Sequence, residues 1–382
     1  MRIAVIRTTL NKGSGQAVHI RETSRQLMSR GYDIQVFCRH VFEDMGGIPV
    51  TVVDDPLKDL PFVRHLSFAF SVVGNVQDFD LVHTQYHPGV FAGCVSHFLK
   101  EKPHVFTYHG FAPVNVWSSG RQMLKMIDHR IGTFLAARYG IDYALTVSEY
   151  LKRELAEKYL FPSERILVCY NGVDLERFSP HVSGESIRDR FKLGSKPVVL
   201  FLGRLVPYKG VEFMLQAAPL ILREVPDAYF LVGGASRHDT LKISRLLADQ
   251  RVRERFIFMG YVPDEEVAQL YASCDVFCFP SLWEGFGIPL AEAQAVGKPV
   301  VAFNNCAVPE VIEDQRTGIL VPPRNWRKLA KSVVFLLKNR DVAYVMGKAG
   351  RERVGRLFTW DRVAKVVETA YEKAVEYHGV RC

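Results

Sequence analysis

At 382 residues, with 48% hydrophobic and 24% charged side chains, the chain can form two hydrophobic cores and has ordinary globular composition, which excludes a disordered or fibrous protein. The formal net charge of +8 is spread over interspersed Lys, Arg, Asp and Glu, mostly beyond residue 180. With no polybasic tail and no basic stripe interleaved with aromatics, a nucleic-acid partner is not expected. Seven cysteines, at 38, 94, 169, 274, 278, 306 and 382, lie mostly in apolar runs without a CxxC and read as reduced, buried side chains.

In chain order, MRIAVIRTTLN reads as a first strand rather than a signal peptide. A helix is expected from Gln16 to Arg30, ending at Gly31, followed by strands in DIQVFC, DLVHTQ, HVFTYHG, YALTVS and RILVCYNG. Near-continuous apolar strands alternating with amphipathic helices predict a parallel sheet covered on both faces. The longest uncharged apolar stretch, near Leu66 to Val76, falls short of the ~20 residues that span a bilayer, so membrane contact would be peripheral. Residues 111 to 138 read as an amphipathic core helix, with a lipid-facing helix as the alternative. Residues 178 to 197, with Pro180, Gly184, Gly194 and Pro197, read as a linker carrying a short helix. Alternation restarts in VVLFLG, YFLVGG, RFIFMG, DVFCFP, KPVVAF and GILVP, which predicts a second doubly wound domain. A final helix is expected from about Thr359.

Doubly wound sheets bind ligands beyond the carboxyl ends of their strands, so chemistry is expected in the loops there. Gly13 and Gly15 follow the first strand, but Val18 stands where a dinucleotide fingerprint wants a third glycine, and Cys38 and Arg39 where it wants an acid. The turn either caps a helix or turns its amides to a diphosphate. In PSLWEGFGIPLAEAQAVGKPVVAF, Gly285 and Gly287 allow close backbone approach, and a helix start offers unpaired amides to an anion. Glu284 in the loop and Glu292, about two turns into the helix, could hold hydroxyls of the same ligand. Sugar hydroxyls beside a phosphate describe a nucleotide sugar. Arg204 and Lys209, around Pro207, could neutralise a leaving diphosphate. His109, just after a strand, could bond a substrate hydroxyl or carbonyl. The Asp78/Asp80 pair lies at the amino end of its strand, and a metal site at His83/His87 or Cys274/Cys278 is not expected.

Together GRLVPYKG, GYVPDEEVAQLYASCDVFCFPS, EGFGIPLAEAQAVGKPVV and VPEVIEDQRTGILVPP, with KGSGQAVHI, DLVHTQ, TYHG, TVSEY and NGVDLERF before them, resemble the retaining GT-B glycosyltransferases of family 4, the glycosyl transferases group 1. The resemblance covers nearly the whole chain. It implies an α/β protein of two Rossmann-like domains facing a cleft: residues 1–180, which bind the acceptor and receive a returning helix at 358–382, and residues 181–357, which hold the nucleotide sugar. Carried over, Arg204 and Lys209 would contact the diphosphate, Glu292 the ribose and Glu284 the transferred sugar. Phe286, Gly287 and Ile288 would lie near phosphate and sugar, Val262 near the base, Gly15 near the diphosphate and His109 beside the sugar. The implied reaction is metal-independent hexosyl transfer with retention from a UDP-sugar, needing no further cofactor, to a glycan or lipid-linked acceptor. The expected place is the cytoplasm or the cytoplasmic membrane face. Cys306 and Ala307 stand where relatives have a glycine pair, which leaves the sugar open. The alternatives are a non-catalytic nucleotide-sugar-binding protein or an epimerase on the same architecture.

Overall fold

The computed structural model describes residues 1–11, 14–55, 64–113, 120–234 and 249–381. They form two compact units, one holding the residues up to Gly172 together with those from Trp360 onward, the other Val173–Thr359.

The first unit contains strands β1 (Arg2–Ile6), β2 (Thr9–Leu10), β3 (Asp33–Cys38), β4 (His40–Val41), β5 (Val50–Val52), β6 (Leu81–Gln85), β7 (His104–Tyr108), β8 (Tyr143–Thr146) and β9 (Ile166–Val168). Seven of them make a parallel sheet in the order β5-β3-β1-β6-β7-β8-β9, while β2 and β4 pair separately. Alternation along β1 fixes which face each residue serves. Ile3 and Val5 pack with Ile20 and Leu27 of the helix Gly15–Ser29, and Ala4 and Ile6 with Phe68 and Val72 of the helix Arg64–Val73. Each such fully buried aliphatic side chain contributes roughly 1.5–3 kcal/mol.

The last helix, Trp360–Arg381, belongs to this unit. Val363, Val367, Tyr371 and Ala374 recur at helical spacing and join the Ile3 side of the core, and Arg30 Nη1 reaches Glu368 Oε2 at 2.7 Å.

The second unit contains β10 (Val198–Leu202), β11 (Tyr229–Gly233), β12 (Phe256–Gly260), β13 (Val276–Phe279), β14 (Val300–Phe303) and β15 (Gly318–Val321). They form a parallel sheet in the order β12-β11-β10-β13-β14-β15. Residues 178–197 are not a linker. Their helix, Glu185–Arg190, packs within this unit, with Ile187 and Leu193 fully buried and Arg188 Nη2 bonded to Asp275 Oδ2 at 3.0 Å. Polar composition suggested a linker because the helix has only one buried turn.

Candidate active site

In the second unit the chain winds outward in both directions from β10, which pairs with β11 on one side and β13 on the other. The loops after β10 and β13 therefore diverge, and a crevice opens between them. After β10, a single 3-10 turn, Pro207–Lys209, closes on Gly210 with φ of 72°. A Cβ at 210 would lie 2.0 Å from the Pro280 carbonyl oxygen, so only glycine lets this turn rest on the segment after β13. Leu282 N–H and the Ser281 hydroxyl both donate to the Tyr208 carbonyl, at 2.7 and 3.2 Å. The docking brings Lys209 Nζ to 2.6 Å from Glu284 Oε1, with both side chains largely buried. The ammonium also lies 5.3 Å from the Phe279 ring centroid.

Gly287, with φ of 101°, begins the helix Ile288–Ala295, whose first turn no side chain caps. Its opening amide, Ile288, is thus available to an anion. Glu292 stands one turn into this helix rather than two, because the helix starts at Ile288 and not at Glu284. Its Oε2 accepts from the Tyr271 hydroxyl at 2.9 Å. Burial pushes the Glu292 carboxyl up to about 7, against the opposing pull of the Tyr271 hydrogen bond and the Arg177 charge. Phe286 is buried edge-on against Phe358, their centroids 5.2 Å apart. Arg204 is exposed and its Nη2 donates to the Tyr208 hydroxyl at 2.7 Å. Val262 is buried after β12, beside the exposed Tyr261. Cys306, at φ of 46°, is half-buried, and the next residue, Ala307, donates its amide to the Glu284 carbonyl at 3.5 Å.

The first unit has its own switch point between β1 and β6. Ser14 caps the helix that Gly15 opens, accepting from Ala17 N–H at 3.1 Å. His109 follows β7 and bonds Gln85 Oε1, the last side chain of β6, through Nε2 at 2.7 Å. The Gln85 amide lies 3.3 Å from His83 Nε2, and His83 Nδ1 meets the Tyr371 hydroxyl at 2.8 Å. Burial, then the charges of His19, Arg7 and His83, holds the His109 imidazole well below its ordinary range, so it is neutral at pH 7. With Nε2–H donating to Gln85, Nδ1 is the ring's acceptor. Arg7 bonds the Gln16 side chain and donates from Nη1 to the Gln85 carbonyl at 3.2 Å. Burial lowers its guanidinium to about 10, which leaves it cationic at neutral pH. His19 meets Asn171 Oδ1 at 2.9 Å and packs edge-on to His109 at 5.3 Å.

Sequence reasoning thus found His109 but missed Arg7, Gln16, His19, Gln85 and Asn171. Gln85 and Asn171 close the apolar strand runs DLVHTQ and RILVCYN, a positional signal that could have marked them. Gly13 lies outside the described residues. Asp80 Oδ2 accepts the Arg2 N–H at 2.7 Å at the amino end of the sheet, a structural use. Cys278 is buried within β13, and the Cys274 thiol donates to the Tyr271 carbonyl at 3.2 Å. His83 and His87 do not face each other: His87 lies beside Asp128 and His129 instead. Within residues 111–138 the described helix is Gly120–Tyr139, amphipathic with Met126, Thr133 and Ala136 buried on one face. Leu124, Ile127, Ile131 and Leu135 stand exposed, Leu124 by 71%.

Two doubly wound parallel sheets, one with a buried cation–carboxylate pair and a glycine-opened helix at its switch point, define an α/β protein of two such units. Residues 184–353 match the family described as glycosyl transferases group 1, and residues 13–177 match glycosyltransferase family 4. A D-inositol 3-phosphate glycosyltransferase of Nocardia farcinica is 30% identical over 96% of this chain and 86% of its own length. A GDP-mannose-dependent alpha-(1-6)-phosphatidylinositol monomannoside mannosyltransferase of Mycobacterium tuberculosis is 36% identical over 59% of this chain, a match that spans 60% of that relative. Sucrose-phosphate synthase of Thermosynechococcus elongatus shares the fold, with a TM-score of 0.82 at 23% identity over 97% of this chain and 98% of that one. The chain belongs to the glycosyl transferases group 1, with the GT-B type of architecture.

Proposed function

We propose that the protein transfers a hexose from a nucleoside diphosphate sugar to an acceptor hydroxyl, with retention and without a metal in the chemical step. The observation that carries this reading is the Lys209–Glu284 pair at the β10/β13 switch point, beside the helix that Gly287 opens. Departure of the sugar builds negative charge on the diphosphate and positive character on the anomeric carbon. Lys209, Arg204 and the Ile288 amide suit the first, and the Glu284 carboxylate suits the second and the sugar hydroxyls. Glu292 takes the ribose, Phe286 and Gly287 line the phosphate side, and Val262 borders the base. On the first unit, Gly15 serves the diphosphate and His109 Nδ1 accepts a hydroxyl hydrogen bond. A UDP-sugar is the proposed donor, with GDP-mannose as the comparison that the mycobacterial relative's name supplies.

The acceptor is proposed to be lipid-linked, and the exposed apolar face of Gly120–Tyr139 supports it. Leu124, Ile127, Ile131 and Leu135 are exposed, as are Phe98 and Leu99 on the helix Gly89–Lys100, with Lys125 and Arg138 also exposed. Such a surface suits the face of an anionic bilayer. The described residues include no helix long and apolar enough to cross a membrane.

Incubation with radiolabelled UDP-hexoses and GDP-mannose tests the reaction directly. Labelled product that retains the donor's anomeric configuration and forms in chelator is expected. Epimerised donor without acceptor, or donor binding without turnover, would establish one of the two alternatives. Sedimentation with anionic vesicles tests the surface, and Leu124→Ser with Ile131→Ser should abolish binding without unfolding the protein.

A further inference from the structure

At the amino end of the first sheet, opposite the loops that carry His109 and Gln85, three elements converge on one carboxylate. Asp142, just before β8, is 1% exposed, and its Oδ2 accepts the His104 N–H at 2.8 Å. The same oxygen lies 3.3 Å from Nδ1 of His97, on the helix Gly89–Lys100, and 3.4 Å from Nδ1 of His378, on the last helix. His378 Nε2 meets the Glu101 carbonyl at 3.0 Å, so that nitrogen carries a proton and Nδ1 is the ring atom that faces the carboxylate. His97 Nδ1 also faces the Lys102 carbonyl at 3.3 Å, so by the same reasoning it carries a proton here, which an incoming metal ion would displace. One ligand atom from each of the three side chains lies within 4.8 Å of the other two.

Two explanations compete for these distances, a long ion pair and a metal site. A direct imidazolium–carboxylate hydrogen bond would be about 2.7–2.9 Å long. A tetrahedral zinc ion with bonds of about 2.0–2.1 Å holds neighbouring ligand atoms about 3.3–3.4 Å apart. Both nitrogens stand from Asp142 Oδ2 at the second spacing. A ligating histidine also commonly gives its other N–H to a backbone carbonyl, as His378 does to Glu101. The other carboxylate oxygen, Asp142 Oδ1, is buried with no hydrogen-bond partner in the structure.

We propose that His97, Asp142 and His378 bind a divalent transition-metal ion of the zinc class, with water completing the tetrahedron. Two imidazole nitrogens and one carboxylate oxygen suit zinc better than magnesium or calcium. The two histidine side chains remain 14% and 11% exposed, which gives an ion access. Its role is structural: it ties the last helix to the helix Gly89–Lys100 and to the start of β8, far along the strands from the proposed chemistry.

The full chain, stripped with chelator, would be dialysed against Zn2+, its metal content measured and its thermal midpoint recorded. One ion per chain and a midpoint raised by several degrees are expected. His97→Gln and His378→Gln should each weaken binding at least tenfold and remove the thermal shift. Bound Co2+ should show the visible absorption of a tetrahedral ion. The proposal falls if the wild type takes up no stoichiometric zinc, if both variants bind as the wild type does, or if Asp128→Asn removes the binding instead. Should one histidine variant unfold, the other variant and the wild-type stoichiometry still decide.

Discussion

The switch points of the two sheets are built from different materials. After β10 and β13, polar chemistry is concentrated in one buried ion pair, Lys209–Glu284, held by two neighbouring loops. After β1, β6 and β7 it is spread over a hydrogen-bonded set, Arg7, Gln85, His83, His109 and Tyr371, whose histidines are kept neutral by burial. An ion pair fails abruptly when one partner goes, because a buried charge is left behind. A largely neutral network loses one bond at a time.

Removing the cation should expose the contrast most strongly. Lys209→Ala is expected to lower turnover roughly 10²–10³-fold and stability by about 3 kcal/mol. Adding Glu284→Gln should restore much of the stability but none of the turnover. Urea midpoints and kcat measured together check this, and wild-type turnover in Lys209→Ala would break the comparison. Gly210→Ala should cost about 3 kcal/mol by thermal or urea denaturation, since its Cβ would strike the Pro280 carbonyl oxygen at positive φ.

A smaller, pH-dependent effect is expected at Glu292, whose carboxyl is raised from 4.5 to about 7. A raised folded-state value contributes stability that is complete below pH 4.5 and is lost as pH rises through 7. Glu292→Gln should therefore be more stable than the wild type at pH 8 by about 2 kcal/mol, and the gap should close towards pH 4. A pH-independent difference would place the carboxyl elsewhere. The smallest effect should come from the neutral network: His109→Ala should reduce kcat about tenfold, with donor KM little changed. A loss as large as that of Lys209→Ala would erase the distinction between the two regions.

Much of this was legible in the sequence because long apolar runs specify buried parallel strands, and the runs through VVLFLG, DVFCFP and HVFTYHG became β10, β13 and β7. The short strands β2, β4 and β5 escaped, since two or three residues carry no period. Arg204, Lys209, Glu284 and His109 could be named because charge, glycine and strand ends coincide in local motifs. That Lys209 pairs with Glu284 could not be read: it depends on β10 lying beside β13 and on Gly210 meeting Pro280. The Arg7–Gln85–His109 set was hidden for the same reason, as its members come from separate strand ends. The exposed apolar residues of Gly120–Tyr139 could not be placed from the sequence, because periodicity shows that a helix has an apolar side, not what covers it.

The half-buried Cys306 has a practical consequence. Burial pushes the thiols of Cys38, Cys94, Cys169 and Cys274 up, to about 11, 12, 12 and 12, and raises that of Cys278 as well. Thiols held protonated alkylate slowly. Among the described cysteines Cys94 and Cys306 are the half-buried ones, and the neighbour of Cys306, Ala307, donates its amide to the Glu284 carbonyl. A fluorophore or spin label attached there would watch the Glu284 loop during ligand binding with no cysteine added to the chain.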